Sequence, residues 1–177
     1  MAVTAAIGAR CEPRSPLAAA MTGLSEQMRS VMASREVAAE VAAAMTASGR
    51  RTLLSGAGAL HPIARGGALA VKEAAYLIVE GNHLEDVIHG GLHGLNPGDI
   101  LIQIAPDGAS NDRNDDLADI ADALRLQRWK IGGAPLRARW HTPLPAVPET
   151  LAPLVATVPL QWLALECALA RGTNPDI

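Results

Sequence analysis

Residues Asp99 to Ala105, reading DILIQIA, form an apolar run without alternation, introduced by the turn signal Asn96-Pro97-Gly98. A strand of this kind is buried on both faces, which is the habit of a parallel sheet covered by helices. Three shorter stretches fit the same sheet. Thr52 to Ser55 runs into the glycine turn Gly56-Ala57-Gly58, and Trp129 to Ile131 and Arg137 to Trp140 flank Gly132-Gly133.

Helical stretches fall between these strands. Leu17 to Met32 and Glu36 to Ala47 come first, closed by Gly49 as a stop signal. A further helix starts at about Pro62, where proline suits the first turn, and is expected to end near Gly81-Asn82. Ala64, Ala68, Val71, Ala75 and Ile78 recur at spacings of four and three, predicting a buried stripe. Asp107 to Asp116 reads as a polar loop leading into a helix over Asp115 to Leu126, and Pro143 to Pro148 as a surface connection. The last helix spans about Glu149 to Arg171, with Pro153 and Pro159 expected to break or bend it before Gly172. Strands alternating with helices predict an α/β three-layer sandwich around about five parallel strands. Residues 1 to 17, with Gly8, Pro13 and Pro16, read as an irregular leader, and 18–177 as one domain.

Bulk properties narrow the function classes. A length of 177 residues suits one domain with a proper core. The net charge of −3, with charges scattered rather than blocked, implies neither a nucleic-acid partner nor an anionic membrane. Cys11 and Cys167 lack any partner spacing, so a disulfide framework is not expected and a reducing cytoplasm fits. No segment reads as a membrane span. Phenylalanine is absent, so the core must come from Leu, Val, Ile, Ala and three tryptophans.

Four places carry candidate chemistry. Ser55, Gly56 and Gly58 form a glycine turn after the first strand, where backbone N–H groups can face a ligand anion. Glu73 sits among small apolar residues, which predicts a partly desolvated carboxyl suited to proton transfer. His89 comes later in a glycine-bounded segment, and Asp107 lies just past the DILIQIA strand. His83, Glu85, Asp86, His89 and His93 could suggest a metal. However, Gly90, Gly91 and Gly94 disrupt the helix that i,i+4 ligation needs, and no HExxH or nearby cysteine is present, so no metal is expected.

The run Gly67 to Gly90, GALAVKEAAYLIVEGNHLEDVIHG, resembles the SIS (sugar isomerase) family, particularly the second of two SIS domains in its aminosugar-forming members. Ile104-Ala105-Pro106-Asp107 and Thr157-Val158-Pro159-Leu160-Gln161 through Arg171-Gly172-Thr173 are similar to further family segments. The likeness extends over 51–177, with 18–50 matching loosely as preceding helices. It implies a flavodoxin-like fold, a phosphorylated sugar as ligand and no cofactor. Glu73 would be the base that moves a proton between adjacent carbons. His89 would be the ring-opening histidine contributed to a neighbouring subunit, hence a homodimer or a partner SIS domain. Ser55, Gly56, Gly58, Lys72 and Asp107 are the expected substrate contacts.

The chain departs from the family pattern in three respects. Ala70 stands where the family has a substrate-contacting lysine. Lys72 is displaced from it by roughly 200° around the helix at about 100° per residue. The Ser/Thr-rich phosphate loop of the family's first domain has no counterpart here, nor does the family's C-terminal lysine. Two functions therefore stand: a phosphosugar isomerase-type domain, or a non-catalytic phosphosugar-binding or regulatory module.

Overall fold

The computed structural model describes residues 16–47 and 49–175, so the expected leader and Cys11 lie almost wholly outside the described residues. In chain order the helices are α1 (Pro16–Thr22), α2 (Leu24–Val31), α3 (Arg35–Thr46), α4 (His61–Ala75), α5 (Leu84–His89), α6 (Asn111–Ala123) and α7 (Ala152–Arg171). The strands are β1 (Thr52–Gly56), β2 (Val79–His83), β3 (Ile100–Ile104), β4 (Gln127–Ile131) and β5 (Trp140–Thr142). They form one parallel sheet in the order β2-β1-β3-β4-β5. This is the strand order of a flavodoxin-like fold, the fold that the family resemblance implied.

Side-chain alternation assigns the two faces. Leu54, Ile100, Ile102, Ile104, Trp129 and Ile131 face α3, α4 and α7 in the main core. Leu53 and Leu101 face the other way, against Leu84 and Val87 of α5 and Leu117 and Ala121 of α6. Helices α1 and α2 rest on the start of α7 through Leu24, Leu151 and Val155. Trp129 is fully buried and its indole N–H donates to Thr142 Oγ1 at 3.1 Å, so the one polar atom of a large apolar group is satisfied. Burial pushes the Cys167 thiol up to about 12, leaving a core-packing cysteine that stays protonated.

The structure corrects several element boundaries. The helix from Pro62 stops at Ala75, because Tyr76 takes a left-handed conformation (φ 53°) and caps it. Ile78 is consequently 89% exposed rather than part of the buried stripe. The chain then enters β2, an edge strand whose polar sequence VEGNH hides its identity. Gly81 in β2 is required by packing: a Cβ there would lie 2.3 Å from the Ala64 carbonyl oxygen of α4. Leu136 and Arg137 both have positive φ, so the last strand starts at Trp140 rather than Arg137.

Helix α6 begins earlier than expected, at Asn111, whose side chain accepts a hydrogen bond from Gly108 N–H at 2.9 Å. Helix α7 is unbroken despite Pro159, since Pro153 occupies its first turn and Pro159 is buried against the core. With 20 residues, α7 is long and apolar enough to cross a membrane by length and composition, which corrects the sequence reading. In the fold it packs on α3 and α4 as a core helix.

Candidate functional site

The strand order reverses between β1 and β3, so the loops leaving these two strands diverge to opposite sides. Ligands of open α/β sheets bind in the crevice this makes at the carboxyl edge. Here a cavity of about 260 Å³ opens between the two loops, walled by Ala57, Gly58, Pro106, Asp107, Ser110 and Glu149. Gly58 reaches it because φ of +50° turns the chain sharply after β1. A larger cavity of about 570 Å³ lies at the opposite, amino edge, where α3, α4 and α7 all end. Arg171, in the last turn of α7 where a cation complements the backbone dipole, lines that cavity together with Arg50 and Arg51 from the connection between α3 and β1. Of these two cavities, the smaller one has the topology for a ligand.

The five residues expected to contact substrate divide into three groups. Gly58 and Asp107 come together in the switch-point cavity. Ser55 and Gly56 lie just behind it and do not line it. Ser55 is 1% exposed with an unpartnered Oγ, and a Cβ on Gly56 would meet the Leu60 carbonyl oxygen at 2.4 Å, so that glycine serves close packing. Lys72 belongs to a third cavity, of about 410 Å³, beside the open edge of β2 with His61 and Arg65.

Glu73 is exposed near the C-terminal end of α4, so the desolvation expected for it is absent. Because α4 returns from the carboxyl edge, this places Glu73 toward the amino edge of the sheet. His89 ends α5, its side chain 74% exposed and its Nε2 3.5 Å from Glu85 Oε2. Glu85 is in turn gripped by Arg113 through bonds of 2.8 and 2.6 Å, which hold its carboxyl below the usual range. Helices α4 and α5 cover opposite faces of the sheet. Glu73 and His89 thus stand on helices of opposite faces, and no hydrogen bond or ion pair joins them among the described residues.

The structure adds one group that the sequence reading missed. Lys130, near the end of β4, is 5% exposed. Burial lowers its pKa more than the attraction of Asp115 and Asp107 raises it. The signal was legible: a lysine set between Trp129 and Ile131 in a strand buried on both faces. Among the described residues, no group of three His, Cys, Asp or Glu side chains is placed to hold a metal ion.

Fold order, switch-point cavity and motif positions together define a class. The chain belongs to the SIS (sugar isomerase) domain family. No protein-family model matches it, but it is similar over most of its length to proteins named glutamine–fructose-6-phosphate aminotransferase (isomerizing). The likeness to that of Pyrococcus horikoshii is 36% identity over 126 residues, 68% of this chain and 21% of the relative. To that of Thermosynechococcus vestitus it is 31% over 173 residues, 92% of this chain and 27% of the relative. The chain thus spans about a fifth to a quarter of these relatives. Among solved structures, the C-terminal domain of glucosamine-fructose-6-phosphate aminotransferase from Francisella tularensis superposes with a TM-score of 0.79 at 21% identity. That superposition covers 87% of this chain and 44% of that one.

Proposed function

We propose that this chain is a phosphosugar isomerase-type SIS domain whose active site is completed by a second SIS unit, either another copy or a partner chain. Glu73 acts as the base that removes a proton from the carbon beside a sugar carbonyl and returns it to the neighbouring carbon through an enediol. His89 of the second unit assists ring opening. These proton transfers need side chains alone, and the setting is cytoplasmic. One observation carries the reading. Two side chains at the positions the family motif marks are both exposed, on opposite faces, and so are presented outward rather than to each other. The names of the relatives and the 44% coverage of the structural neighbour support a unit that works with another like it. Ala70, in place of the family's lysine, favours a second reading: a phosphosugar-binding module without turnover.

Subunit complementation tests both. Glu73→Gln and His89→Ala should each be inactive in exchange between fructose 6-phosphate and glucose 6-phosphate. Mixed and reassorted, they should recover roughly one quarter of wild-type activity, because half the dimers are mixed and each regains one of two sites. A wild type that binds these esters without turning them over supports the binding module. Absence of both binding and turnover removes both readings.

A further inference from the structure

Lysine is scarce in this chain: of its 15 lysines and arginines, only Lys72 and Lys130 are lysines. The difference between the two residue types is chemical as well as geometric, because an amine can lose its proton and attack carbon while a guanidinium cannot. Lys72 is exposed on α4. Lys130 is enclosed on the α5/α6 face of β4 and makes no hydrogen bond or ion pair within 4.0 Å among the described residues. Two residues earlier on the same strand and face, Arg128 shows how this sheet holds a structural cation. It is 1% exposed and donates to Asp122 at 2.9 Å, to Gln103 at 3.1 Å and to the Leu136 carbonyl.

The surroundings of the Lys130 amine are polar and open on one side. A Cβ on Gly133 would lie 3.5 Å from Lys130 Nζ, 2.8 Å from Asp107 Oδ1 and 3.2 Å from the Ala105 carbonyl oxygen. Glycine leaves that volume empty, and Asp107 also walls the switch-point cavity. Two strands across, at the same level, the buried Ser55 hydroxyl has no partner. Burial that holds the amine below the ordinary lysine range raises its neutral fraction.

We propose that Lys130 is a nucleophilic amine, served by Asp107, that condenses with the carbonyl of a small open-chain hydroxyaldehyde or hydroxyketone at the carboxyl edge. The amine lone pair forms the C–N bond as the carbonyl π pair moves to oxygen, which takes up a proton. The nitrogen then gives up a proton to the Asp107 carboxylate, which returns it to the hydroxyl as that leaves as water, giving the protonated imine. This site lies within one chain and stands apart from the Glu73–His89 reading, so either can fail alone.

The test uses the full chain with D-glyceraldehyde and cyanoborohydride at pH 7, which reduces any imine to a stable secondary amine located by peptide mass. The exposed Lys72 is the internal control. Lys130 should be labelled about tenfold more than Lys72 in the folded chain. Asp107→Asn should lower labelling at Lys130 several-fold and leave Lys72 unchanged. Lys130→Met should keep Tm close to or above the wild-type value, since it removes an amine that makes no hydrogen bond or ion pair among the described residues while keeping the buried stem. The proposal is overturned if Lys72 reacts while Lys130 stays unmodified, or if Lys130 is labelled only after unfolding. An indifferent Asp107→Asn would equally overturn it, as would a sharp loss of Tm in Lys130→Met, the mark of a structural cation.

Discussion

The two faces of the sheet are built on different principles. Toward α3, α4 and α7 the strands present mostly apolar groups, closed by small residues that bring backbones together, and the buried Thr142 hydroxyl there is paired with the Trp129 indole. Toward α5 and α6 the apolar contacts are confined to Leu53, Leu101 and their neighbours. Near the carboxyl edge that second face becomes a lateral row of Asn82, Ser55, Gln103, Lys130 and His141, one from each strand. Burying polar groups costs stability unless they are paired. The first face therefore holds the fold, while the second gives up some stability in exchange for polar groups where a ligand would arrive.

The most severe test of this contrast falls on the first face. Gly81→Ala drives a Cβ to 2.3 Å from the Ala64 carbonyl oxygen and 2.6 Å from Arg65 N, both main chain. Backbone cannot yield as a flexible side chain can, so β2 and α4 must separate. A loss above about 4 kcal/mol is expected, seen as failure to fold or a collapsed denaturant midpoint. Near-wild-type stability would show that helix and strand are not packed this closely.

Arg128→Met tests the second face, with a smaller effect. Arg128 ties α6 to β3 and β4 through Asp122 and Gln103, and Gln103 donates onward to the Asn114 carbonyl at 3.0 Å. Removing the cation leaves these acceptors short of a donor and should cost about 2–4 kcal/mol in chemical denaturation. The same variant has a pH signature. Burial pushes the Asp122 carboxyl up, but the hydrogen bond and charge of Arg128, joined by Arg137, bring it net below its ordinary value. A depressed carboxylate stabilises the fold above its unfolded pKa, and that contribution is lost as pH falls through the folded one. Wild-type Tm should therefore drop below about pH 4, and Arg128→Met should show a shallower drop.

The first face was also the more legible in sequence. DILIQIA announces a doubly buried strand, and Ala64, Ala68, Val71 and Ala75 mark the inner side of α4 by spacing alone. Reading failed where a local rule was overruled. Tyr76 ends α4 in a left-handed conformation usually left to glycine, and β2 escapes notice because an edge strand needs no continuous apolar run. Pro159 stays helical because tertiary packing outweighs the lost backbone bond. At the site, Gly58 and Asp107 could be placed because loops after parallel strands gather at one edge. The relation of Glu73 to His89 could not. Their separation along the chain says nothing of which side of a sheet each helix covers, and only the crossover through β2 decides it.

The smallest expected effect concerns Ser55, where the two faces come closest to exchanging character. Its hydroxyl is buried at 1% exposure and makes no hydrogen bond, beside Gln103 on the neighbouring strand. An unsatisfied buried hydroxyl costs about 1–3 kcal/mol relative to a paired one, while Ala at the same place forfeits little volume. Ser55→Ala should thus leave stability unchanged or raise it by up to about 1 kcal/mol, measured by thermal and denaturant unfolding. A loss larger than about 1 kcal/mol would mean that the hydroxyl is satisfied in solution, through water reaching in from the carboxyl edge. That outcome would make the interior of the second face wetter than the first and would extend the switch-point crevice inward toward Lys130.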